Sequence, residues 1–181
     1  MLRAALEAEA ALSADVVVML RKLAKKDETT RLRGLAELLA LAREPARAAQ
    51  CAELLPHFVP PFARLAADGS RRVREQACVL LGVLGSTLGR ALAPHLRALL
   101  PPLLWASCDA APEVAAAASG AFAAMLPSRA KRADALLFAQ RELFARSTAA
   151  VLAAAPPYLS ARASAAAEAD GAAVELSLIH I

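Results

Sequence analysis

Three aspartates, Asp27, Asp68 and Asp109, stand 41 residues apart, and the apolar positions that follow them keep the same spacing. Leu32, Val73 and Val114 form one such series, Ala36, Ala77 and Ala118 a second, and Leu39 aligns with Leu80. Pro60-Pro61 returns 41 residues later as Pro101-Pro102. Unrelated residue types sharing one period point to a chain of similar units. A unit of this length cannot bury its apolar side alone, so it must stack on its neighbours.

Each unit reads as helix, turn, helix. In the middle unit the first helix is expected from Pro56 to Ala67, with Pro60 and Pro61 kinking it or resetting its start, because proline lacks the N–H donor. Asp68-Gly69-Ser70 makes the turn, and Asp68 or Ser70 caps the second helix, whose apolar face is Val73, Ala77, Leu80, Leu81 and Leu84 and whose stop is Gly85. Asp109 to Glu113 repeats the turn, with Pro112 in the first turn of the helix and Glu113 near its positive end. Upstream, Ser13 to Lys25, capped by Ser13, pairs with Thr29 to Ala42. Lys131 to Ala155 reads as the start of a fourth pair.

The hydrophobic content of 58% is mostly Ala and Leu, aromatic residues make up 4%, and β-branched residues are few, so the class is all-α. A period of about 41 with two helices per unit falls in the HEAT/armadillo range, and the expected fold is a HEAT/armadillo-like α-solenoid of three to four hairpins over residues 1–158. Residues 159–181 are Ala-rich and short of large apolar anchors, and a disordered or non-native tail is expected there; Leu176 to Ile181 matches nothing in the repeat.

Composition narrows function by exclusion. Cys51, Cys78 and Cys108 are far apart with no C-x-x-C pair, which suggests free thiols, no zinc or redox site, and a reducing compartment, hence a cytosolic or nuclear location. His57, His95 and His180 have no acidic neighbours at ligand or triad spacing, and no Gly-rich phosphate loop occurs; no catalytic residue, metal or cofactor is assigned. No run of about 18 apolar residues is free of charges and prolines, so no membrane span is expected. The net charge of +4 permits acidic or nucleic-acid partners without requiring them.

The candidate binding surface is basic. Arg21, Lys22, Lys25, Lys26, Arg31 and Arg33 crowd the first turn, and Arg71 and Arg72 occupy the equivalent turn one unit later. On a shared edge, Lys22, Lys25, Lys26, Arg31, Arg33, Arg71 and Arg72 would suit phosphates or an acidic protein surface. Basic residues late in a helix also stabilise its negative end. No aromatic residue interleaves with them, which argues against base stacking. Arg74 is expected to pair with a turn aspartate, and Trp105 to sit in the core.

Three stretches carry a family resemblance. Met19 to Arg33, with its lysines followed by Thr29-Thr30, is one; Leu65 to Glu75 is a second; the third runs through Leu92-Ala93-Pro94-His95-Leu96-Arg97, Trp105 to Asp109, Ala121-Phe122 and Pro127 to Lys131. Over residues 16–146 the chain resembles the N-terminal region of listerin, the E3 ubiquitin ligase family of ribosome-associated quality control. The resemblance implies a docking fragment that engages stalled large ribosomal subunits, through rRNA phosphates or protein, alongside the factor that recognises the peptidyl-tRNA. It also implies that ubiquitin transfer, and the zinc that goes with it, reside in a C-terminal RING domain outside this chain. No membrane and no small-molecule substrate are implied. A HEAT-repeat adaptor that grips a protein partner is the alternative function.

Overall fold

A computed structural model describes residues 13–154, and among them all regular structure is helical. Seven α-helices follow in order: α1 (Ala14–Leu23), α2 (Glu28–Ala42), α3 (Ala48–Leu65), α4 (Arg71–Leu88), α5 (Leu96–Ala106), α6 (Pro112–Met125) and α7 (Arg129–Ala154). Short 3-10 segments, Pro45–Arg47 and Gly89–His95, lead into α3 and α5. The chain divides into two compact units, Met1–Ala139 and Gln140–Ile181. Within the second, the described residues continue α7, with Phe144 exposed and the Ser147 hydroxyl donating to the Leu143 carbonyl at 2.8 Å. The expectations for residues 159–181 lie outside the described residues.

In the first unit, α1 pairs with α2, α3 with α4, and α5 with α6, while α4 packs on both α2 and α6 and α3 lies against α1 and α5. One core runs through the pairs. Leu35 and Leu38 of α2, Phe58 and Phe62 of α3, Leu80, Leu81 and Leu84 of α4, Leu99 and Leu103 of α5, and Val114 and Ala118 of α6 are all fully enclosed. Small residues set the closest approach. A Cβ on Gly82 would lie 3.0 Å from the Ala121 Cα, so any side chain there would push α4 away from α6.

Ser13 stands at the N-cap of α1 but its side chain makes no capping bond, and three further expectations about helix ends and register change in the structure. The first helix of the middle hairpin starts at Ala48, not Pro56, and runs on through Pro56, Pro60 and Pro61. The carbonyls that these prolines leave without a donor belong to Ala52, Pro56 and His57, which are exposed or half-exposed, so water can serve them. With the ring's clash against the preceding turn, each interior proline costs a helix about 3 kcal/mol. Burial of Leu54, Leu55, Phe58, Phe62 and Leu65 on the other face contributes roughly 1.5–3 kcal/mol per side chain and offsets that cost.

Gly85 does not stop α4. It is buried against Met125, and the helix ends at Gly89, whose φ of +50° glycine adopts without the steric penalty a side chain brings. That break divides the apolar stretch Arg71–Ala106, which by length and hydropathy alone would pass for a membrane span.

The third change concerns register. The helices after the turns begin at Glu28, Arg71 and Pro112, 43 and then 41 residues apart. The 41-residue alignment therefore holds between the second and third hairpins and slips by two in the first. Ala36 shows it: Ala77 and Ala118 are fully buried, whereas Ala36 is exposed and Gly34, 43 residues before Ala77, takes the enclosed position. The cause is the role of the aspartate. Asp27 is the N-cap itself, accepting from the Thr30 N–H and hydroxyl at 2.7 Å each. Asp68 and Asp109 sit two residues before the cap and accept from Ser70 N–H and Ala111 N–H at 2.9 Å.

Candidate docking surface at the basic turns

The turns that close the first two hairpins lie side by side. Ser70 Oγ donates to Glu28 Oε1 at 2.7 Å, and the Arg31 guanidinium reaches across to Asp68, with Nη2 donating to Oδ1 and Nε lying near Oδ2, both at 3.0 Å. The next junction repeats the arrangement more tightly. Arg74 donates from Nε and Nη2 to the two carboxylate oxygens of Asp109 at 2.7 and 2.9 Å, a fork that fixes distance and orientation together. Both arginines also turn Nη1 onto carbonyls five and six residues back: Arg31 onto Lys25 and Lys26, Arg74 onto Asp68 and Gly69. One side chain thus ties the end of its own turn to the aspartate of the next. The expected pairing of Arg74 with a turn aspartate is present.

This rivet sorts the candidate cations. Arg31 is committed to Asp68, with 14% of its side chain exposed. Lys22 is held by Glu37 at 2.5 to 2.7 Å. Arg33 is 76% exposed and only 3.8 Å from the same Glu37, one turn along its helix. Arg71 approaches Glu113 at 3.3 Å while 70% exposed, and such surface pairs hold their partners weakly. Lys25, Lys26 and Arg72 are exposed and make no ion pair among the described residues, as does Arg21. The cations left exposed near the two turns are therefore Arg21, Lys25, Lys26, Arg33, Arg71 and Arg72, while Lys22 and Arg31 are held in internal ion pairs. Arg64, which sequence reasoning passed over, donates to the Leu23 carbonyl at 3.1 Å and anchors the end of α1 beneath the patch.

Electrostatics follow the contacts. The Arg74 guanidinium bonded to Asp109 holds that carboxyl below the usual carboxylate range and raises its own affinity for the proton in return. Asp27 is also lowered, first by the Thr30 hydroxyl and then by the Thr30 backbone N–H. Burial pushes the Cys78 thiol up to about 12, with the nearby Asp109 charge adding to the effect, and burial also raises Cys51. Both are thus protonated and poorly nucleophilic, while Cys108 is exposed. Among the described residues no group of three or more His, Cys, Asp or Glu side chains comes together at metal-binding geometry.

Trp105 departs from expectation. It is 38% exposed, because the inward positions of α5 go to Leu99, Leu100, Leu103, Leu104 and Ala106 and leave the indole at the rim.

Comparison with known proteins gives this surface a context. The sequence profile of a family described as the N-terminal domain of the E3 ubiquitin-protein ligase listerin matches residues 10–173. Mouse E3 ubiquitin-protein ligase listerin is 34% identical over 130 residues, 71% of this chain and 7% of the relative. The chicken protein of the same name is 32% identical over 138 residues, 76% of this chain and 8% of the relative. The fruit-fly protein is 34% identical over 114 residues, covering 63% and 6%. The chain thus spans less than a tenth of the curated relatives it matches, and no solved structure matches it. A profile match over residues 10–173, with a relative 34% identical over 71% of the chain, makes this chain a member of the listerin N-terminal domain family.

Proposed function

We propose that the chain is a docking scaffold from the N-terminal end of a listerin-type E3 ubiquitin ligase, folded as a HEAT-type stack of helical hairpins. In this reading it holds the ligase on a large ribosomal subunit carrying a stalled nascent chain, next to the factor that recognises the peptidyl-tRNA, in the cytosol. Ubiquitin transfer and any zinc belong to other parts of the ligase. The observation that carries the reading is the family match over residues 10–173. The cations left over by the internal ion pairs supply the contact chemistry. Lys25, Lys26, Arg33, Arg71 and Arg72 lie at two adjoining turns held in fixed register by the Arg31–Asp68 pair, and so present several charges to one partner surface. Phosphate contacts of this kind release counterions and weaken steeply with salt.

The test is cosedimentation of the chain with purified large ribosomal subunits over a salt series, beside a variant with those five residues changed to glutamate. Binding that falls with salt and disappears in the folded variant supports the proposal. Equal binding by wild type and variant rejects the basic edge as the contact. No binding by wild type, with the recognition factor present, moves the assignment to the HEAT-type adaptor, which the exposed Leu136, Leu137 and Phe138 would suit.

A further inference from the structure

Arg31, Arg74 and Arg132 each stand at the fourth residue of their helices, α2, α4 and α7. Each makes the same hook. Arg132 Nη1 donates to the Leu126 and Pro127 carbonyls, six and five residues back, at 2.9 and 2.7 Å, as Arg31 and Arg74 do at their own turns. In the first two cases the rest of the guanidinium binds an aspartate presented by the next turn. Arg132 has the same local geometry, but no carboxylate pairs with it among the described residues.

What lies beside it is a cleft of about 530 Å³. Leu104, Phe122 and Leu136 supply apolar walls, Ser119 a hydroxyl, and Arg129 a second cation next to Arg132. Leu136 is 46% exposed and Arg129 is exposed. The charge in the cleft is positive, the walls are apolar, and the molecule itself twice shows what this hooked arginine takes.

We propose that the cleft is a docking site for a peptide segment of a partner protein that carries a carboxylate flanked by small apolar residues. The carboxylate bonds to Arg132, with Arg129 closing over it, and the flanking residues lie on Leu104, Phe122 and Leu136. A hooked arginine is a better receptor than a free one, because its side chain is already fixed and loses little entropy on binding. This site stands on geometry within the first unit and holds whether or not the basic turns engage a ribosome.

The probe is a peptide of residues 65–70, Leu65-Ala66-Ala67-Asp68-Gly69-Ser70, acetylated and amidated so that its only carboxylate is that of Asp68. It is titrated into the whole chain while the Arg132 Nε–H and the Leu104 and Leu136 methyl resonances are followed by NMR. Saturable shifts at all three, with a dissociation constant on the order of millimolar, are expected. Replacing the peptide's aspartate with asparagine weakens binding by about tenfold or more. Because Arg132→Ala also removes the hook on two carbonyls, Arg129→Glu and Leu136→Ser serve as further variants at exposed positions, and each weakens binding while the melting curve stays in place.

Equal affinity for the aspartate and asparagine peptides overturns the proposal, as does a titration with no saturable shift. So does movement of the Arg132 resonance in the free protein on Glu168→Gln or Asp170→Asn, since the carboxylate would then come from the chain itself.

Discussion

The turn after α1 and the turn after α3 have an aspartate at the same step of the sequence, and the two aspartates do different work. Asp27 faces water and caps its own helix. Asp68, 12% exposed at its side chain, lies under the Arg31 guanidinium and ties one hairpin to the next. The difference follows from neighbours. Among the described residues nothing packs ahead of Asp27 in the way α2 packs ahead of Asp68, so a carboxylate with no guanidinium to receive turns to the nearest free N–H groups. The same contrast separates the cations. The arginines at the fourth positions of α2 and α4 are consumed by the stack, while the lysines at the turn's crest are not. A basic residue count at a turn therefore overstates the binding surface, and the stack itself subtracts the residues it needs.

The sharpest way to break this comparison is to remove a rivet. Arg74→Ala leaves Asp109, 14% exposed, without its partner and frees the Asp68 carbonyl as well. Destabilisation of about 2 kcal/mol is expected, the range for a charge-assisted hydrogen-bonded pair that is mostly shielded from water. A double-mutant cycle with Asp109→Ala, read by chemical denaturation, should return a coupling near that size. Coupling near zero would mean that the fork is a surface ornament and that apolar packing alone joins α4 to α6. The same pair makes an acid-side prediction. Arg74 holds the Asp109 carboxyl below the unfolded value of about 3.9. Its contribution is complete above about pH 4 and is lost as pH falls through the folded-state value. Asp109→Asn should flatten that part of the stability profile, and a profile equally steep in the variant would assign the acid sensitivity elsewhere, to Asp27 first.

How far the sequence reveals all this depends on what each residue answers to. The all-α class and the helix pairing follow from spacing and composition, because apolar periodicity reports burial directly. The 43-residue step into the second hairpin does not. Asp27 invites alignment with Asp68 by identity, and only the hydrogen bonds distinguish a cap from a receptor. Gly34 carries the true register, since it is enclosed where Ala36 is not, but a glycine inside a helix does not announce which neighbour it approaches. The start of α3 is hidden for a related reason: three prolines look like a boundary until burial of Phe58 and Phe62 is weighed against them. Among the candidate cations, residue type and position place them at two turns that prove to adjoin, but do not tell which members the fold itself pairs. Lys22 is paired through Glu37, fifteen residues away, and no local pattern marks that contact.

A smaller effect separates the two aspartates from the other side. Asp27→Ala removes the cap on α2 but leaves no buried charge behind, so a loss of about 1 kcal/mol is expected. Asp68→Ala should cost more, because it strands Arg31 beneath the turn. Equal losses at the two positions would erase the distinction between a cap and a rivet, and the excess at Asp68 measures what the neighbouring hairpin adds.

The smallest effect on stability tests the functional half of the comparison. Lys25→Ala, Lys26→Ala and Arg72→Ala change residues that make no ion pair among the described residues, so each should move the denaturation midpoint by no more than about 0.5 kcal/mol. If the three together leave stability intact while reducing salt-sensitive binding to the large ribosomal subunit, then the charges that the stack leaves out are the ones that meet the partner. If they lower stability as much as Arg74→Ala does, these cations are also part of the framework, and the division between riveting and docking residues fails at the turn where it was drawn most clearly.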